Sequence, residues 1–242
     1  MLIAGIDVSK THYAMVVREP LPKGKYRTDY MFASTTKGLV EQAIRKGYQA
    51  HYLPDYTQWK KKVNDNPHNY TMFLCDVMAE FIEEDLGYIG LGHLNCFERY
   101  IAFEGYSFAS PGQLLQIAEV TSAIKQIFYQ DHWNIRIHDP LTVKLWATGD
   151  GKSEKELLRV EAVKDGLQIP VFIFDHSMCY DICDAYFLMK ILETELQVRE
   201  KPMLLNELND NQKRVFNRVT QAYKTNLLDR AFSTYKDITE FL

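Results

Sequence analysis

Leu2–Arg18, LIAGIDVSKTHYAMVVR, is the stretch from which the fold is read. Leu2, Ile3, Ala4 and Ile6 form an apolar run of strand length. After a polar turn at Ser9 and Lys10, Tyr13 to Val17 resumes it with aromatic and β-branched residues, so the pattern predicts a hairpin. Its one acid, Asp7, stands where the first strand runs out. Taking a charge out of water is costly unless it is paired or binds a metal. Asp7 is therefore either a turn residue capping the Val8-Ser9-Lys10 bend or a metal ligand on a rigid sheet. Taken alone, the hairpin favours the turn.

Three more acids at element ends change that weighting: Glu104 in RYIAFEGYSF, and Asp181 and Asp184 in YDICDAYFLMKIL. Hard divalent cations take oxygen ligands, and two of them side by side need several carboxylates drawn from different parts of a chain. The i, i+3 spacing puts Asp181 and Asp184 on one face near the start of a helix, where Ala185, Phe187, Leu188 and Met189 make mere solubilising charge a poor explanation. Glu104 closes a strand before Gly105 and points at a cleft; its bland alternative is an edge-strand charge.

The 242 residues suit one large domain or a domain with an insertion, and 46% hydrophobic content excludes disorder as the main state. The net charge of −4 argues against a nonspecific nucleic-acid coat protein, although clustered acids would mask a basic face elsewhere. No apolar run approaches the roughly 20 residues that span a bilayer, and the N-terminus lacks the basic and apolar regions of a signal peptide. The expectation is a soluble, cytoplasmic protein. Cys75, Cys96, Cys179 and Cys183 form no CxxC pair. His176, Cys179 and Cys183 imitate a zinc cluster, but a fourth ligand is missing and their neighbours are apolar, so they read as core.

Pro20, Pro22 and Gly24 mark a loop before a third strand over 26–33, and a helix over 35–46 carries Leu39, Val40, Ala43 and Ile44. Residues 48–69 read as an irregular insertion. A helix over 70–86 stops at Gly87, a strand over 97–103 delivers Glu104, and Ser110-Pro111 opens a long helix with Leu114, Leu115, Ile124 and Ile127 on its apolar face. Residues 135–137 make a short strand. Ser153 and Glu156 make a capping box, residues 171–174 a buried strand, and 178–197 a helix. The tail reads as one or two amphipathic helices. Asp139–Lys155, DPLTVKLWATGDGKSEK, pairs glycines with lysines as a phosphate-contacting loop would, and a plain glycine turn fits equally. GxxxxGK[ST] and GxGxxG are both absent.

Five stretches in order, GIDVS, FEGYSF, LLQIAEVTSAIKQIF, KLWATGDGKSEKE and DICDAY, resemble a RuvC-type Holliday junction resolvase of the ribonuclease H-like superfamily, in the longer form that phages carry. The match covers about residues 1–35 and 98–195. It implies an α/β ribonuclease H-like fold: three antiparallel strands followed by parallel strands, flanked by helices. The nuclease domain would span 1–200 with an insertion at about 36–97, and 201–242 would be a helical extension. Asp7, Glu104, Asp181 and Asp184 would be catalytic carboxylates holding two Mg2+ ions, with Mn2+ as substitute. Lys144 and Lys155 would match basic residues near the scissile phosphate, with Lys152 in the same loop.

Tyr106 and Phe108 follow Glu104 and would stack on exposed bases of a branch, although the family spacing falls on Ser107. The implied activity is metal-assisted phosphodiester hydrolysis of four-way DNA by a homodimer, in a host cytoplasm if the chain is phage-encoded. GIDVSK also resembles DEDD-domain transposases, but those carry a further catalytic domain for which the tail is too short. A related nuclease acting on other branched DNA and a non-catalytic junction-binding protein are the remaining alternatives.

Overall fold

Alternation along Leu2–Val8 (β1) divides the molecule into two cores. Leu2, Ala4 and Ile6 enter one, with Leu74, Met78, Ile82, Val120, Ile124 and Phe128; Ile3 enters the other, with Val16, Phe32, Ile182, Ala185, Leu188 and Met189. Period-2 side chains on a sheet covered on both faces produce this division. The computed structural model describes residues 1–63, 66–88, 98–105, 111–174 and 176–221.

β1 is followed by Tyr13–Leu21 (β2), Lys25–Ser34 (β3), Ala50–Tyr52 (β4), Arg99–Glu104 (β5) and Asn134–His138 (β6). The six strands lie in the order β4-β3-β2-β1-β5-β6. β2 is antiparallel to both neighbours, whereas β1–β5, β5–β6 and β3–β4 are parallel. This is the expected mixed α/β sheet, three antiparallel strands followed by parallel ones, with helices on both faces. One core is closed by Tyr56–Val63 (α2), Pro67–Tyr88 (α3) and Pro111–Gln130 (α4). The other takes Lys37–Arg45 (α1), Pro140–Thr148 (α5), Lys155–Lys164 (α6), Val171–Phe174 (α7), Met178–Glu200 (α8) and Asp210–Gln221 (α9).

α8 approaches the sheet closely, and Gly5 makes that possible. A Cβ at Gly5 would lie 2.1 Å from the Ala185 carbonyl oxygen and 2.5 Å from the Met189 nitrogen. Any side chain there would push the helix off β1.

Several expectations are corrected. Residues 48–69 are not irregular: β4 pairs with β3 and α2 follows, because short elements with little periodicity leave weak signals. Pro20 belongs to β2, opposite Tyr26. The 171–174 run is a helical turn after Pro170 with Val171 87% exposed; a four-residue apolar run does not distinguish strand from helix. Most of Asp139–Lys155 is helical rather than a glycine loop, since Asp139 accepts from the Leu141 N–H, Pro140 opens α5 and Gly149 ends it at φ 82°. No Ser153 capping box forms: Ser153 Oγ meets Thr148 Oγ1 at 3.0 Å, and Glu154 precedes α6. α3 continues through Gly87, and Ile44 and Leu115 are exposed rather than packed. No helix among the described residues is long and apolar enough to cross a membrane.

Candidate active site

Strand parity brings the acids to one side. Asp7 shares the face of Ile3 and Gly5, which lies under α8, and Glu104 shares the face of Ala102, which packs in the same core. Ile6 is registered against Phe103, so Asp7 and Glu104 stand side by side at the ends of parallel strands. α8 supplies Asp181 and Asp184 from its first two turns, each 7% exposed. Ligand oxygens of Asp7, Asp181 and Asp184 all lie within 4.8 Å of one another. Glu104 borders this trio and acts on it through its charge.

The electrostatics are those of a cluster short of positive charge. Burial holds the Asp7 carboxyl well above the usual carboxylate range, and repulsion from Glu104, Asp184 and Asp181 adds to it against the pull of Lys155. Glu104 is pushed up to about 8, by burial first and Asp184 next, with Lys155 and Lys144 opposing. Asp184 is raised to about 6 by burial, against Lys155 and Lys144, with Asp181 adding to the rise. Burial works against the Lys155 ammonium, but the four acids outweigh it and raise its pKa. An all-oxygen donor set with this excess of negative charge fits a hard divalent cation such as Mg2+ or Mn2+. The residues present therefore suit the expected ions, with Asp7, Asp181 and Asp184 as the best-placed ligands and Glu104 beside them.

The flanking groups separate into those at the cluster and those beside it. Lys155 Nζ lies 3.7 Å from Asp181 Oδ1. Lys144 Nζ donates to the Ser153 carbonyl at 3.0 Å, so it ties down the α5–α6 turn while its field reaches Glu104 and Asp184. Lys152 is exposed on that turn, where its backbone N–H donates to Asp150 Oδ1 at 2.9 Å. Tyr106 and Phe108 lie outside the described residues. His176 caps α8, its Nδ1 accepting from the Met178 N–H at 3.2 Å, and Cys179 and Cys183 are buried in the core.

Sequence reasoning missed His12. Its Nε2 is 3.1 Å from Asp181 Oδ2, so the Asp181 carboxylate is held between His12 and Lys155. The signal was present in the hairpin: pairing Val8 with Tyr13 leaves His12 at the turn beside the Asp7 strand end. His138, registered against Glu104, was also missed. Burial and then Arg136 lower its pKa to about 3, so the imidazole is neutral, and its Nε2 has no partner among the described residues.

No protein-family model and no curated protein matches the chain. Among solved structures it is similar to Thermus thermophilus RuvC, with 15% identity and a TM-score of 0.38 over 79% of this chain and 96% of that one. It is also similar to T. thermophilus RuvC in complex with Holliday junction substrate, with 14% identity and a TM-score of 0.45 over 80% of this chain and 97% of that one.

Proposed function

We propose that the protein is a structure-selective endonuclease that resolves four-way or other branched DNA by metal-dependent phosphodiester hydrolysis, acting as a homodimer. The observation that carries this reading is the meeting of Asp7, Asp181 and Asp184 within 4.8 Å, from elements far apart in sequence, with Glu104 and Lys155 beside them. A purely structural role explains such a cluster poorly, because burying like charges together is unfavourable unless a cation joins them.

Asp7, Glu104, Asp181 and Asp184 would hold two Mg2+ ions, which supply Lewis-acid stabilisation of the phosphate and lower the pKa of water. The chain's own groups do the positioning. Asp7 sits on an inner strand and Asp181 and Asp184 on a helix packed against it, so the donors are held by rigid elements. His12 and Lys155 orient the Asp181 carboxylate from opposite oxygens. Lys155 and Lys152 offer positive charge to the DNA backbone at the rim, and Lys144 holds the turn that presents them.

The test is magnesium-dependent nicking of synthetic four-way, Y-shaped and linear DNA compared side by side, with Asp7→Asn as the control. Cleavage confined to the branched substrates and lost in the control is expected. Equal cutting of all three would remove structure selectivity, and absence of nicking would remove the nuclease reading.

A further inference from the structure

The β1–β2 turn, Ser9–His12, carries a lysine that the fold does not use. Lys10 is half-buried and, among the described residues, forms no ion pair and no side-chain hydrogen bond. Other lysines are engaged. Lys37, Lys164 and Lys190 each face an acid within 4 Å, at Glu41, Glu161 and Asp165. Lys144 donates to the Ser153 carbonyl, and Lys155 meets Asp181.

The turn that carries Lys10 is braced from within and fastened to the acid cluster. The Ser9 N–H donates to the His12 carbonyl at 2.9 Å, Ser9 Oγ donates to the same oxygen at 3.1 Å, and the Thr11 N–H donates to Ser9 Oγ at 3.3 Å. His12 Nε2 then meets Asp181 Oδ2 at 3.1 Å. The pairing of Val8 with Tyr13 closes the turn directly after the Asp7 strand end. Lys10 therefore stands three residues from one carboxylate of the cluster and two from a side chain that touches another.

Lys155 reaches the same Asp181 carboxylate through its other oxygen, Oδ1, at 3.7 Å. α6 and the β1–β2 turn thus flank Asp181 from different sides. α6 and the turn before it bring Lys155 and Lys152 to one side; on the other, the basic side chains of the β1–β2 turn are Lys10 and His12, and His12 is held by Asp181. A DNA strand with one phosphate at the acids runs past them in both directions, so its neighbouring phosphates are best held by a cation on each side.

We propose that Lys10 binds a phosphate next to the scissile one in the strand that is cut, on the side of the cut away from Lys155. This rests on the nuclease reading above. The cut is first mapped on a synthetic four-way junction with the unsubstituted chain and Mg2+. Binding is then followed in an Asp7→Asn background, which removes cleavage, by fluorescence anisotropy between about 50 and 200 mM salt, a range over which counterion release is readily resolved. Lys10→Gln should flatten the slope of log affinity against log salt by about 1, and Lys10→Arg should restore it. Junctions in which the phosphate on one side or the other of the mapped cut is a neutral methylphosphonate locate the contact. One of the two should weaken binding by the Asp7→Asn parent and cause no further loss in the Lys10→Gln variant. An unchanged slope, or losses that multiply at both positions, would overturn this inference alone. Without DNA, Mg2+ should raise the Tm of Lys10→Gln as much as that of the unsubstituted chain; a smaller rise would make the lysine a support of the acid cluster and overturn its role at the phosphate. Absence of cutting by the unsubstituted chain would overturn the nuclease reading, and this inference with it.

Discussion

Asp7 and Gly5, two positions apart on one face of β1, make different demands on the same helix. Gly5 admits the α8 backbone, and Asp7 meets the two acids that α8 then brings. Gly5→Ala should cost about 1 to 3 kcal/mol or more through overpacking, and should abolish magnesium-dependent nicking because Asp181 and Asp184 move with the helix. Urea unfolding and a nicking assay check both; an unchanged midpoint would show that α8 tolerates the methyl. For Asp7→Asn the expected outcome is a folded protein that binds branched DNA as well as or better than the parent and does not cut it, since one negative charge facing the phosphate has gone. Residual cutting near the parent rate would exclude Asp7 from the site. His12→Ala removes one of the two groups orienting Asp181. Loss of such a supporting contact typically lowers activity or metal affinity about 10- to 100-fold, so a magnesium titration of the variant should shift by that order. An unaltered titration would leave His12 a bystander.

Each face of the sheet is tied to its helix by polar groups that water hardly reaches, and on one of them the helix is α8. Arg136 on β6 meets Glu195 at 3.1 Å with both side chains under 5% exposed, and burial still raises the Glu195 carboxyl against the pull of Arg136. Arg136→Met alone should destabilise by about 3 to 5 kcal/mol, because it strands a buried carboxylate, whereas Arg136→Met with Glu195→Leu should cost far less. Equal losses in the single and double variants would mean that the cost lies in losing Arg136 itself and not in stranding Glu195. On the opposite face, Tyr13 Oη donates to Asp85 Oδ2 at 2.6 Å and His51 Nε2 lies 2.7 Å from Asp85 Oδ1, which ties α3 to β2 and β4 directly behind the hairpin. The helices that carry the site differ in how openly their sequences announce them. α8 was legible from its apolar neighbours, but α5 was read as a glycine loop although Asp139, Pro140 and Gly149 are ordinary helix boundaries.

For the molecule as a whole, the acid cluster links stability to pH and to metal. Glu104 and Asp184 rise from ordinary values of 4.5 and 3.8 to about 8 and about 6. Between those limits the folded chain keeps protons that the unfolded chain releases, so the metal-free protein loses stability as pH rises from about 4 to 8. Divalent ions bind the deprotonated form and reverse this, so Mg2+ should raise Tm more at pH 8 than at pH 5. Thermal melts at the two pH values, with and without Mg2+, decide it; equal shifts at both would argue against ion binding by these carboxylates.

Short-range pattern was enough to settle the hairpin, the long helices and the acids at element ends. Period 2 and period 3.6 are local properties of the chain, and they survive whatever lies across the sheet. The meeting of the acids and the buried pairs required the fold. Tyr13 and Asp85 are 72 residues apart, Arg136 and Glu195 59, and His51 and Asp85 34. Contacts over such separations depend on strand order and register, which arise when the whole chain packs, and no local run of residues encodes them.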